Sequence, residues 1–70
     1  MTSRPVDARI VAIRAEHLLN GWAPRTAMEM AYRYTVEAER GGNPAAIRLA
    51  RSVLAEIRRR TRRNPAGMAA

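Results

Sequence analysis

Residues 41–63 read GGNPAAIRLARSVLAEIRRRTRR, and they hold both a helix boundary and the most clearly patterned helix of the chain. Asn43 before Pro44 is typical of a helix start, because the Asn side chain accepts hydrogen bonds from free backbone N–H groups and proline is tolerated in the first turn. Apolar residues then recur every three or four positions, which predicts an amphipathic helix over 44–63. Its core stripe is Ile47, Ala50, Val53, Leu54 and Ile57. The opposite face of this helix is rich in arginine.

Two pairs of helix-breaking residues divide the rest of the chain, Asn20-Gly21 and Gly41-Gly42. Glycine readily takes the left-handed conformation that closes a helix, so we expect Gly21 and Gly41 just past the ends of two helices. No segment alternates apolar and polar residues as a strand does. The sequence therefore predicts an all-α fold, a small three-helix bundle. The predicted helices cover residues 5–20, 24–40 and 44–63.

Seventy residues suffice for one small domain, which we expect over 1–64, followed by a disordered tail over 65–70. Hydrophobic residues make up 47% of the chain, but many of them are Ala, so few large side chains can build a core. The first helix is apolar on two sides, with Ile10 and Ile13 in a stripe separate from its main apolar arc. A helix of this kind is usually shared with a partner. Homodimerisation or a hetero-complex would therefore complete the bundle.

The residue types present argue against catalysis and metal binding. The chain has no Cys and one His, and its six acidic residues are scattered. This excludes disulfides and thiol chemistry, and there is no nucleophile–base pair, metal-ligand spacing or glycine-rich phosphate loop. No apolar run approaches the roughly 20 residues that span a bilayer, and the first ten residues lack the apolar core of a signal peptide. We expect a soluble cytoplasmic binding protein that is not an enzyme and uses no cofactor or metal.

The charge of the chain is concentrated in its last third. Thirteen arginines and no Lys stand against six acids, which gives 13 − 6 = +7. Residues 44–70 hold seven of these arginines and one acid, so 7 − 1 = +6 lies there. A GC-rich coding sequence raises the arginine content, and cations stabilise a helix C-terminus, but the helix dipole needs only one or two. The excess favours an anionic partner, with an acidic protein surface and plain solvation as the alternatives.

We interpret the arginine-rich face as a phosphate-binding surface. The guanidinium group presents a planar fork of donors that fits phosphate oxygens, and a basic stripe along one helix is the expected footprint of a nucleic-acid binder. The sequence thus predicts a small regulatory nucleic-acid-binding protein, with DNA favoured over RNA and no membrane partner. The predicted phosphate contacts are Arg48, Arg51, Arg58, Arg59, Arg62 and Arg63.

The link between the second and third helices, Gly41-Gly42-Asn43, is compatible in length with a helix-turn-helix unit that places the basic helix last. The first and second helices are a poorer candidate, because the charges on the second helix balance. No Asn or Gln lies on the exposed face of the third helix to read base edges. Its contacts would go mostly to phosphates, and we expect weak sequence specificity.

The second hypothesis is a protein-binding adaptor or inhibitor, of the kind that phage accessory proteins provide, which docks on a host protein. Its surface would combine the broad apolar arc of the first helix with two aromatic residues, and the arginines would steer it to an acidic partner. The predicted docking residues are Val11, Leu18, Trp22 and Tyr32. The alternative roles are a plug over the helix ends for Trp22 and base stacking for Tyr32. We expect Tyr34 in the core and His17 to be a packed or hydrogen-bonded residue, not a ligand or base.

Overall fold

A computed structural model describes residues 6–63 of the chain, which form three α-helices. The helices are α1 (Ala8–Gly21), α2 (Pro24–Gly41) and α3 (Pro44–Arg63). Over these residues there is no strand, so the predicted all-α, three-helix fold is confirmed. The tail predicted over 65–70 lies outside the described residues.

The first helix begins later than the sequence analysis predicted. Asp7 is the N-cap of α1, with extended backbone, and its carboxylate accepts a hydrogen bond of 2.8 Å from the backbone N–H of Arg9. Pro5, which suggested a start at residue 5, lies outside the described residues. The cause is the cap. An Asp side chain accepts a hydrogen bond from a free N–H of the first helical turn, whereas a proline is compatible with that turn but supplies no such bond.

The helices end in different ways at the two pairs of helix-breaking residues, Asn20-Gly21 and Gly41-Gly42. Contrary to the prediction from sequence, neither Gly21 nor Gly41 lies past a helix end. Both belong to the last helical turn. After α1 the chain turns extended at Trp22, whose N–H donates to the Leu18 carbonyl at 2.9 Å. After α2 the left-handed residue is Gly42, with a φ of 77°, and its N–H donates to the Ala38 carbonyl at 3.1 Å.

These two neighbouring glycines make a matched pair for substitution. Gly42→Ala is expected to lower the free energy of unfolding by about 1 kcal/mol, because a Cβ is strained in the left-handed region. Gly41→Ala is expected to raise it by about 0.5 kcal/mol, because Gly41 is helical and a Cβ there meets open space. Thermal and urea unfolding followed by circular dichroism measures both. Equal destabilisation by the two changes would contradict a left-handed cap at Gly42.

The second and third helices form an antiparallel hairpin. Their link is Gly42-Asn43, and a link this short folds two helices back on each other. The predicted cap is confirmed, since Asn43 Oδ1 accepts from the N–H groups of Ala45 at 3.0 Å and Ala46 at 3.4 Å. The two helices pack against each other, and positions far from the link, such as Tyr32 and Arg58, come together.

The first helix packs mainly on α3 and touches α2 at few positions. The buried apolar residues are Val11, Ala15, Leu18, Ala27, Ala31, Val53, Leu54 and Ile57. The three alanines let the helices approach closely, but they leave only five larger side chains in the core. The fold therefore has a thin core and an incompletely covered first helix.

Candidate nucleic-acid interface

Five exposed arginines of α3 lie on one face of the helix, two near its start and three near its end, and we call them the arginine ridge. At about 100° per residue these positions fall within an arc of about 100°, opposite the core stripe of α3. The ridge consists of Arg48, Arg51, Arg58, Arg59 and Arg62. From its first to its last residue it runs about 21 Å, at 1.5 Å of rise per residue. The side chain of Arg63, the sixth predicted contact, lies outside the described part of the structure.

Two acidic residues interact with the ridge. Glu39 at the end of α2 accepts a hydrogen bond of 2.5 Å from Arg51. Glu56 is the acid of α3, and it pairs with Arg59 and, at 2.8 Å, with Arg60. The paired arginines of the ridge keep about two thirds of their side chains in solvent. The Arg51–Glu39 pair is exposed on both sides and is therefore weak, so Arg51 can still reach a phosphate. Glu56 is largely buried, but most of the Arg59 side chain is in solvent, so Arg59 keeps donors outside the pair.

The remaining three ridge arginines, Arg48, Arg58 and Arg62, make no ion pair with any residue over 6–62. Their guanidinium groups are exposed, so their hydrogen-bond donors are free for a ligand. Cations repeated along one helix face also raise the local positive potential, which attracts polyanions and speeds their association.

The outer face of α2 carries exposed charges of both signs. It consists of Arg25, Glu29, Arg33, Glu37 and Arg40. Its neighbouring charges make no ion pair within 4 Å in the structure over 6–62. With three cations and two acids, this face has little net charge, so the charge asymmetry between α2 and α3 persists in the folded protein.

Tyr32 lies next to the ridge, on the side of the hairpin where α2 meets α3. Its side chain is 59% exposed. A shallow depression of about 440 Å³ brings it together with the ridge residue Arg58 and with Arg33. Met28, which is partly buried, and Leu54, which is buried, contribute apolar atoms to the same depression. Glu29 is the acidic residue that lines it. Sequence analysis singled out Tyr32 but placed it with the docking residues of the first helix.

The four predicted docking residues do not form one surface. Val11 and Leu18 are each only 8% exposed and belong to the core, which corrects their assignment to a docking face. Physically, their side of α1 is the one that α3 covers. Trp22 is 49% exposed and therefore does not plug the helix ends. Tyr32 belongs to the depression beside the ridge.

An apolar groove between the three helices was not predicted. Its volume is about 480 Å³, and the residues at its mouth are Ile13, His17, Tyr34, Ala38, Leu49 and Ala50. Ile13 is 60% exposed and Tyr34 50% exposed. The expectation that Tyr34 is in the core is therefore wrong, because its ring faces this opening. His17, expected to be packed or hydrogen-bonded, is exposed and lines the same opening. The sequence feature that could have indicated this groove is the separate apolar stripe of α1, which contains Ile13.

Within the described residues, no group of three or more His, Asp or Glu side chains lies close enough together to hold a metal ion. None of the three helices has the length and apolarity needed to cross a membrane over the part of the chain described. Comparisons of the chain with protein-family models, with curated proteins and with solved structures found no match.

Proposed function

We propose that this protein binds nucleic acid, with duplex DNA as the first candidate, through phosphate contacts of the arginine ridge, and that it acts as a regulatory binding protein. The observation that carries the proposal is the clustering of five exposed arginines on one face of α3. Three of them are free of ion pairs within residues 6–62, and two are held only by exposed or partly exposed carboxylates.

The geometry of the ridge supports contacts with the backbone of the nucleic acid. The ridge spans about 21 Å, with a gap of about 10 Å between Arg51 and Arg58, and this length corresponds to about 6 phosphates along one strand of duplex DNA, at one per about 3.4 Å. Arginine binds phosphate oxygens with two parallel donors, and such contacts fix position without reading sequence. The hairpin packing of α2 against α3 favours binding along the backbone over insertion of a recognition helix into a groove.

The salt dependence of binding tests this proposal. Five phosphate contacts predict a slope of log K against log[salt] of about −4.5 on duplex DNA, at about −0.9 per contact. Between about 50 and 200 mM salt, duplex affinity is then expected to fall by about 500-fold. Fluorescence anisotropy with a labelled duplex of random sequence measures it. Absence of binding at about 50 mM salt would overturn the proposal and redirect the search to an acidic protein partner.

As a second function, we propose that the apolar groove pairs with the groove of a second copy of the chain. The observation behind it is the exposure of Ile13 and Tyr34 at the mouth of an opening that all three helices line. Arg14 is the formally charged residue among the described residues that line the groove. Two copies can therefore meet there without burying the arginine ridges, which lie on the other side of α3.

A dimer interface of ordinary size would extend well beyond the groove itself. A stable dimer covers about 800 Å² per partner, about one seventh of the 5602 Å² that the chain exposes. Such burial would compensate for the thin core. It would also join two arginine ridges in one particle, which raises the affinity for a long polyanion.

A further inference from the structure

We propose that Tyr32 and the depression around it form a stacking site for an unpaired nucleobase, so that the protein binds single-stranded nucleic acid or an unpaired segment of a duplex in addition to intact duplex DNA. This inference rests on the proposed function, because it adds a base-binding site to the phosphate-binding ridge. It names a substrate class that the ridge alone does not select.

The first reason for a stacking site is the position of the Tyr32 ring. Tyr32 is on α2, but it reaches the ridge because the antiparallel hairpin sets this turn of α2 beside Leu54 and Arg58 of α3. Most of the Tyr32 side chain is in solvent, while Met28 and Leu54 pack with the core beneath it. The ring is therefore supported on its apolar side and open to a ligand.

The second reason is the chemistry of the side chains around Tyr32. A nucleotide has an aromatic face and an anionic phosphate, and Tyr32 and Arg58 offer a partner for each within one depression. Arg33 provides a second cation on the α2 side of the ring. Glu29 repels phosphate, but its carboxylate can accept a hydrogen bond from a base amino group such as cytosine N4.

The state of the base distinguishes this ligand from an intact duplex. Bases inside a duplex are stacked on their neighbours, and an exposed ring on a helix surface cannot reach their faces. Single-strand binders combine a positive surface that follows the backbone with aromatic rings on which bases stack, and each such ring contributes about 5- to 150-fold in affinity. Tyr32 beside the arginine ridge matches this combination.

Trp22 provides the control, because it is a second large aromatic residue with a comparable exposed fraction, 49% against 59% for Tyr32. It lies just after α1 and lines neither the depression beside the ridge nor the apolar groove. Only Tyr32 is expected to matter for nucleic acid.

The test measures Tyr32→Ala, Tyr32→Phe and Trp22→Ala against a labelled single strand of about 20 nucleotides and the matching duplex. We expect Tyr32→Ala to weaken single-strand binding by about 10-fold and duplex binding by less than about 2-fold. Tyr32→Phe and Trp22→Ala should both bind as the unchanged protein does. Circular dichroism checks that helicity is kept.

Two results overturn the inference and separate its failure from that of the proposed function. If Tyr32→Ala binds single strands as tightly as Trp22→Ala while the unchanged protein still binds both ligands, the stacking site is wrong and the arginine ridge stands. If the unchanged protein binds neither ligand at about 50 mM salt, the nucleic-acid function itself fails.

Discussion

Reversing the charge of Arg48, Arg58 and Arg62 together, by substitution with Glu, is expected to weaken duplex DNA binding by at least about 100-fold. Each charge-assisted contact with a phosphate is worth about 1 kcal/mol or more, so the loss of three corresponds to at least that factor before repulsion is added. These three arginines are exposed and make no ion pair over 6–62, so their removal leaves no carboxylate without its partner. Anisotropy at about 100 mM salt measures the change.

A control with the same net charge separates the ridge from charge in general. Arg9, Arg25 and Arg40 lie on α1 and α2 outside the apolar groove, and replacing all three by Glu also changes the net charge from +7 to 7 − 6 = +1. We expect this variant to lose less than about 10-fold in affinity, because long-range attraction is screened over about 10 Å at this salt concentration. Equal losses in the two variants would show that binding depends on total charge, and the assignment of the ridge would be withdrawn.

The third helix could be predicted closely from sequence because its signals are local. The Asn43 side chain caps the first turn, and one apolar stripe faces one arginine-rich face, so a single helix rotation satisfies both. The ridge followed directly from this rotation. The acidic partners of the ridge could not be predicted in this way. The contact of Arg51 with Glu39 depends on how far the two helices of the hairpin are shifted along each other. That register is a property of packing between segments and is not encoded by either helix alone.

The first helix shows the opposite case. Two apolar stripes fit the same helical period, so periodicity cannot decide which of them faces the core. The structure buries the stripe with Val11 and Leu18 and leaves Ile10 and Ile13 in solvent. The same ambiguity affected α2, where the alanine face lies next to Tyr34 and a small rotation decides whether this ring packs or opens into the groove. The sequence analysis therefore misplaced interface residues on the helices in which either of two faces could pack against the core.

The Ile13→Asp variant is expected to be a monomer at concentrations where the unchanged protein is a dimer. An ionised carboxylate at the centre of an apolar interface costs several kcal/mol, which corresponds to a loss of more than about 100-fold in dimer affinity. The monomer itself should keep its helicity, because Ile13 is 60% exposed. Sedimentation equilibrium distinguishes a monomer of 7.8 kDa from a dimer of 2 × 7.8 = 15.6 kDa.

Trp22→Asp is the control for this prediction, because Trp22 is almost as exposed as Ile13 but does not line the groove. It should leave the dimer intact, whereas loss of the dimer in both variants would indicate unspecific hydrophobic association. An unchanged protein that stays monomeric up to about 1 mM would overturn the dimer, since specific interfaces of standard size bind far more tightly. If the dimer is present, Ile13→Asp should also weaken binding to a long duplex but not to one that holds a single ridge, because only the long duplex can engage two ridges at once.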